Sequence, residues 1–346
     1  MKVLSPKKWL MTILILIILL IGTIIFCSFQ GSADINFKDA VKIFSNPLSQ
    51  NWWNTKAIIL LKVRLPRILL ACMVGGALAV AGVVLQALLR NPLADPYVLG
   101  VSSGSALGAI IAILLGLNIN VGVLSSVPLF GFAGGILTIL FVHHISKIHR
   151  KISVQTMLLV GVVTGAILAA IIMFITSIAD PNQVQGIVFW LMGSLSSQEY
   201  PMLLIVSLYV LIGIVILFYH ARGLNLLVLG EESALQLGLE VERTKKIAFI
   251  GASLITGAAV SVSGLIGFVG ILIPHLMRMI IGSDHRLLLP VAGLSGSIFL
   301  VLADTLARTL LAPMEIPVGV ITAMCGGPFF IYLLRKKHKK GTTPFL

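Results

Sequence analysis

Few residues in this chain are of a type that does chemistry, and their spacing narrows the options further. His143, His144 and His149 cluster beside Lys147 and Arg150. Imidazoles this close could ligate a metal, but no carboxylate or cysteine stands near to complete a set, so polar residues at the end of an apolar run are the better reading. His275, in Ile273-Pro274-His275-Leu276-Met277-Arg278, is expected at a similar edge. Cys27, Cys72 and Cys325 each lie inside an apolar run and form no CxxC pair, so they read as small core residues rather than a disulfide framework. No H-E-x-x-H or G-x-x-x-x-G-K-[ST] occurs, so zinc-protease and phosphate-loop chemistry have no carrier here. Asp304 stands four residues before Arg308, a spacing that puts both on one helix face, where they can pair. The densest internal charge runs from Ala221 to Lys246 and holds four of the twelve acids, Glu231, Glu232, Glu240 and Glu242.

The elements that must position these groups follow from composition. Of 346 residues, 58% are hydrophobic and only 11% are charged. Mean hydropathy is +1.07. A soluble domain carries about 25% charged residues. This chain cannot cover a water-facing surface of its size, so soluble enzymes and disordered or collagen-like chains are excluded. An all-α polytopic membrane protein remains. A net charge of +13 would suggest nucleic acid in a soluble protein, but the charges sit in short clusters between apolar runs, where they set topology.

Taking charges as boundaries, spans fall at 9–33, 68–89, two within 96–146, then 152–179, 200–221, two within 247–277, then 287–303 and 316–334, ten in all. The first run is too long for a signal peptide and lacks a small-x-small cleavage site. The segment 181–198, rich in Gln, Ser and Gly, is expected as an interfacial or re-entrant helix rather than a span. With both termini inside, eighteen of the 25 basic residues face inward, and the outer seven include Arg64, Arg67 and Arg308. Glycines recur every four residues at Gly100, Gly104 and Gly108 and at Gly161 and Gly165, which suits close helix packing in lipid. No 20–50-residue repeat is evident, so residues 1–346 read as one transmembrane domain.

The 221–246 segment then lies inside. Glu231 and Glu232 favour a helix start and Gly238 can end it, which predicts a short helix there. Ion-coupled carriers hold acids near mid-membrane, whereas the acids here lie between spans or near span ends. A self-sufficient secondary transporter or channel is therefore the second-ranked reading, and a membrane enzyme lacks a catalytic cluster.

Several segments resemble a known family: Arg64-Leu65-Pro66-Arg67, Gln86 to Pro96, Leu99 to Ser105, Gly230-Glu231, Gln236 to Leu239, Gly264 to Gly270 running into Arg278, Asp284-His285-Arg286, Ala303 to Arg308, and Ile316 to Gly319. In this order they are similar to the FecCD permease subunits of bacterial ABC importers for iron chelates, haem and vitamin B12. The resemblance covers about Arg64 to Leu334. It implies type II importer architecture, with ten spans in a multi-pass protein of the bacterial cytoplasmic (inner) membrane and both termini cytoplasmic. It also implies a homodimer or a pair with a homologue, two cytoplasmic ATP-binding subunits that use ATP and Mg, and an extracytoplasmic solute-binding protein. This chain itself would bind no cofactor and no nucleic acid and do no covalent chemistry. The 221–246 loop would be the ATPase-coupling element, through Gly230, Glu231, Glu232, Ser233, Ala234 and Gly238, with Ser233 where such loops carry a first alanine. Arg64, Arg67 and Arg308 would meet glutamates of the binding protein. An inner gate would involve Ile152, Ser153, Val154 and Gln155, and an outer one the end of the fifth span with 181–198. The expected cargo is a ferric siderophore, with haem, cobalamin and an oxyanion open.

Overall fold

The computed structural model describes residues 6–31, 33, 35, 36, 38, 39, 55–117, 125–148, 151–195 and 199–339. The chain runs α1 (Pro6–Phe29), α2 (Leu65–Leu89), α3 (Val101–Leu114), α4 (Ser126–Ile145), a hairpin of β1 (Lys147–Ile148) and β2 (Lys151–Ile152), α5 (Val154–Ile178), α6 (Pro181–Leu191), α7 (Tyr200–Tyr219), α8 (Ala221–Val228), α9 (Glu231–Gln236), α10 (Val241–Ser263), α11 (Val269–Ile281), α12 (His285–Thr309) and α13 (Val318–Lys339). A helical lead-in from Thr55, π-helical over Ile59–Arg64, joins α2 without a break. Seven of these helices are long and apolar enough to cross a membrane, namely α1, α2 with its lead-in, α4, α5, α7, α10 and α12. The shorter apolar helices α3, α11 and Val318–Tyr332 of α13 bring the number to the expected ten.

Helix α2 forms the axis of the core. In its most apolar window 83% of residues are buried, against 11% in α5 and 6% in α1. Its 25 residues span about 37 Å. Two seams explain the burial. Gly75 faces Gly296 of α12 so closely that a methyl group on either would overlap the other's carbonyl oxygen. Two turns further on, a methyl group on Gly82 would overlap the Gly270 carbonyl of α11, and one on Gly270 would meet Pro96 and the Leu78 carbonyl. In lipid, with little hydrophobic drive between helices, such backbone contact is what dispersion packing requires.

Three helices are short for one reason: the chain doubles back before they begin or after they end. Helix α2 stops at Arg90, which adopts a left-handed conformation, while the Asn91 amide bonds back to the Gln86 carbonyl at 3.1 Å. The chain then climbs beside α2. Gln86 holds the Ala94 carbonyl at 3.4 Å, and Pro96 reaches Gly270 opposite Leu78, midway along α2. Only then does α3 start, with 14 residues and about 21 Å of rise. Helix α11 likewise begins halfway, after the Gly264–Phe268 turn. The 181–198 segment contains the 11-residue α6, too short to span. Gln183 donates to the Leu114 carbonyl at 2.9 Å, Ile187 packs deeper along α3 on Ala106 and Ile110, and Gly193 at φ +74° turns the chain toward Ser263. Residues 196–198 lie outside the described residues.

Gly75→Leu should cost about 3 kcal/mol or more by overpacking the α2–α12 seam. Gly22→Leu, at a position on α1 with open space around it, should change stability by under about 0.5 kcal/mol. Thermal unfolding in detergent compares the two; equal effects would refute the seam.

Candidate functional site

The ends of α2 carry two charged assemblies. At the Arg64 end, three arginines converge. The Arg64 guanidinium donates to the carbonyls of Ser28, at 3.0 Å, and Ala33, tying α2 to the end of α1. Arg67 forks onto Asp304, with Nε 3.0 and 3.1 Å from the two carboxylate oxygens, and donates through Nη1 to Glu315 at 2.8 Å. Arg308 places Nε 3.1 Å from Asp304 Oδ2, at ion-pair distance but off line for a hydrogen bond, while its Nη2 donates to Thr305 at 3.2 Å. One carboxylate, 1% exposed, thus sits between two cations.

The Asp304–Arg308 pairing expected from spacing is present. What sequence reasoning missed is Arg67, which shares that carboxylate across 237 residues, and Glu315. No local pattern could have shown a contact set by the α2–α12 seam. The three arginines expected on an open face are buried and committed inward. The surface member of the cluster is Glu315, whose side chain is 55% exposed.

At the Arg90 end lie α8 and α9. The predicted short helix is α9, with Glu231 and Glu232 in its first turn. It stops as expected: Gly238, at φ +81°, donates its amide to the Leu235 carbonyl, and Leu239 reaches back to Ala234. Gly230, at φ +110°, starts it. The two glutamates do different things. Glu232 is exposed, as are Ser233, Leu235, Gln236 and Leu237. Glu231 points inward, 3.0 Å from Lys245 Nζ and 3.9 Å from Arg90 Nη2. Lys245 also reaches Glu242 at 2.6 Å. Ala234 is fully buried beneath the helix.

Helix α8 was not foreseen, although its buried residues Ala221, Leu224 and Leu227 recur at helical spacing. It is pinned to the start of α12 through Asn225, which donates to Asp284 at 2.8 Å and accepts from the His285 amide at 2.9 Å. Arg286 forks onto Asp284 and holds its carboxyl down to about 2. The same guanidinium lies 5.3 Å from the centre of the Trp9 ring, which ties in α1.

The histidines do not converge. His143 is buried and stacks on Phe249, His144 is exposed, and His149 lies outside the described residues. His275 is buried against Phe330 rather than set at an edge. Among the described residues no group of three His, Cys, Asp or Glu could hold a metal. Of the four expected gate residues, Ile152 is in β2 with its side chain outside the described set, Ser153 caps α5 by accepting from the Thr156 amide at 3.3 Å, Val154 packs on the core and Gln155 is exposed. They run from β2 into the start of α5.

Asp304→Asn leaves two buried guanidinium groups without their carboxylate and should cost about 3–5 kcal/mol. Glu315→Gln, at an exposed acid, should cost about 1 kcal/mol or less. Unfolding of the two variants by chemical denaturant measures the difference.

Comparison with known proteins returns the same architecture. The model of the FecCD transport family matches residues 15–336. The hemin transport system permease protein of Yersinia pestis is 38% identical over 339 residues, 97% of this chain and 98% of its own. The cobalamin import system permease protein of Halobacterium salinarum is 41% identical over 295 residues, 85% and 78% of the two chains. The Fe(3+) dicitrate transport system permease protein of Escherichia coli is 39% identical over 276 residues, 80% and 85%. A solved inward-facing ABC transporter of the metal-chelate type superposes with TM-score 0.82 at 33% identity, over 94% of this chain and 98% of that one.

Proposed function

The chain belongs to the FecCD transport family, and on that premise we propose that it is the transmembrane permease subunit of an ATP-driven importer for a metal chelate. The observation that carries this is the arrangement along α2. A buried arginine cluster stands at one end, and a short, outward-facing helix braced by ion pairs stands about 37 Å away at the other. The Arg90 end is cytoplasmic by the bias of basic residues, with both termini on that side of a bacterial inner membrane.

Two cytoplasmic ATP-binding subunits press on α9 there. Its exposed Leu235 and Leu237, with Leu229 and Val228 nearby, support this, because apolar groups on so charged an end suit a protein partner. Those subunits bind ATP and Mg, while this chain hydrolyses nothing. A second copy of the chain packs against the exposed apolar face of α5, where Leu159, Val163 and Phe174 are uncovered, and the cargo path lies between the copies. ATP binding closes the ATPase pair, α9 moves, and the copies rock between outward- and inward-open states. The segments at Ile152 to Gln155 and at α6 lie where gates are needed.

The solute-binding protein docks on the Arg64 end. Arg64 and Arg308 fix that surface from beneath, and Arg67 is the arginine linked to it, through exposed Glu315. A docking carboxylate would take Glu315's place on Arg67. The cargo is a ferric siderophore, with haem and cobalamin next, as the hemin, cobalamin and ferric dicitrate permeases among the relatives suggest.

The alternative of an ion-driven carrier is disfavoured by Asp304. It lies near the end of α12, and two arginines neutralise it, so it offers no ion-coupling site.

Reconstitution with the ATPase and binding protein should show chelate-dependent stimulation of ATP hydrolysis, and the chelate that stimulates is the cargo. Uptake by the purified chain alone under an ion gradient would overturn the reading. Arg67→Gln should weaken binding-protein docking severalfold and flatten its salt dependence, and Glu315→Gln should strengthen docking, both measured by surface plasmon resonance at two ionic strengths.

A further inference from the structure

Glu231 and Glu232 are adjacent in sequence but opposite in orientation, and the difference assigns a role to a residue on another helix. Lys245 belongs to α10, and its side chain is only 2% exposed. A lysine that has left water needs counter-charges, and it has two: Glu242 one turn earlier on its own helix, and Glu231 on α9. Glu231 also faces Arg90, the residue that ends α2. The four charges cancel and gather three separate elements at one point: α9, the start of α10 and the end of α2.

The rest of α9 is held weakly. The helix has six residues and is bounded by glycines at positive φ on both sides, Gly230 and Gly238. Such a helix has little stability of its own. Ala234 is its one buried side chain. Without a second fixed point it can tilt about Ala234 when pushed.

We propose that Lys245 is the positioning residue that supplies this second point. Through Glu231 it makes α9 move as one body with α10 and with the end of α2. A push on the exposed face of α9 then displaces the membrane helices instead of bending the loop. This inference rests on the reading that an ATPase subunit docks on α9.

The chemistry favours a clean test. Glu231 and Glu242 are 37% and 41% exposed, so removing the lysine leaves them hydrated and the fold intact. In the full complex, with permease, ATPase and binding protein in vesicles, Lys245→Met should bind the ATPase subunits with unchanged affinity and unfold at an unchanged temperature. It should hydrolyse ATP while cargo uptake per ATP falls by about tenfold, the size expected when one link of a coupling network is cut. Glu231→Gln should show the same loss, and the double variant should be no worse than either single one, because both remove one joint. Unchanged uptake per ATP in Lys245→Met would sink the proposal. So would losses that multiply in the double variant, or a loss that only tracks weaker ATPase binding. Leu235→Asp, on the exposed face, serves as the control for the underlying reading. If it leaves ATPase binding intact, docking on α9 itself is wrong. If it weakens binding while Lys245→Met keeps full coupling, only the joint is wrong.

Discussion

The close approach of α2 to its neighbours is the constraint on which the rest of the structure depends. At Gly75 and Gly82 the backbone of α2 meets the backbones of α12 and α11 with no room for a side chain on either partner. Water cannot drive these helices together, so contact area must. Once the seam is set, the register of α12 against α2 is fixed to within a fraction of a turn. That register is what brings Asp304 beside Arg67. A shift of one turn, about 5.4 Å, would separate the charges and leave three ionised groups without partners. The glycine seam and the ion cluster therefore specify each other: close packing sets the register, and the charges penalise any other.

The same reasoning explains why the buried charges at the two ends of the bundle are committed to partners. Arg64 is satisfied by backbone carbonyls, and Arg67 and Arg308 share Asp304. At the opposite end Lys245 has two carboxylates and Arg286 grips Asp284. Two of these pairs, Arg67 with Asp304 and Lys245 with Glu231, join elements distant in sequence. In a soluble protein, exposed ion pairs contribute little and are interchangeable. At Asp304, Arg67 and Arg308 burial makes the pairing specific, because losing one partner leaves a charge that lipid and core cannot solvate. Charges thus act as rivets at the two ends of a bundle whose middle is held by close packing and a few hydrogen bonds such as Ser297 to the Cys72 carbonyl.

Much of this was legible in the sequence, and the parts that were not have a common cause. Ten apolar runs, a helix too short to span within 181–198 and the short helix stopped by Gly238 all follow from local composition and turn chemistry, and the described residues show each. Asp304 with Arg308 was legible because both lie on one helix. The partnership of Arg67 with Asp304 was not, because it depends on how two helices 237 residues apart pack. The opposite orientations of Glu231 and Glu232 were hidden for the same reason: adjacent residues on a helix point about 100° apart, and only the tertiary contact says which one faces the protein. The burial of Arg64, Arg67 and Arg308 was masked by a rule that holds on average, since arginine at a span end usually reaches water. Here the lead-in helix from Thr55 and the end of α1 cover it.

A transporter that works by rocking needs stiff bodies and compliant joints, and the distribution of burial separates the two. Helices α2, α10 and α12 are locked by seams and by the rivets at their ends, so they can pass a displacement along their length. Helix α5 is different. It is long and apolar, yet almost uncovered by the rest of the chain, and it meets α3 and the turn before it through Gly100, Gly161 and Gly165. A helix with so little of its surface covered can shift with less loss of interdigitated contact than α2 can, even though buried Met157 and Ile172 pack on the core. Its first turn, capped by Ser153, follows the hairpin, whose second strand lies against α10, the helix that carries Lys245. The axis that carries force and the helix free to respond therefore meet on the side where α9 lies exposed. On this view the importer's direction of coupling is built into which helices carry glycine on one face and which on several.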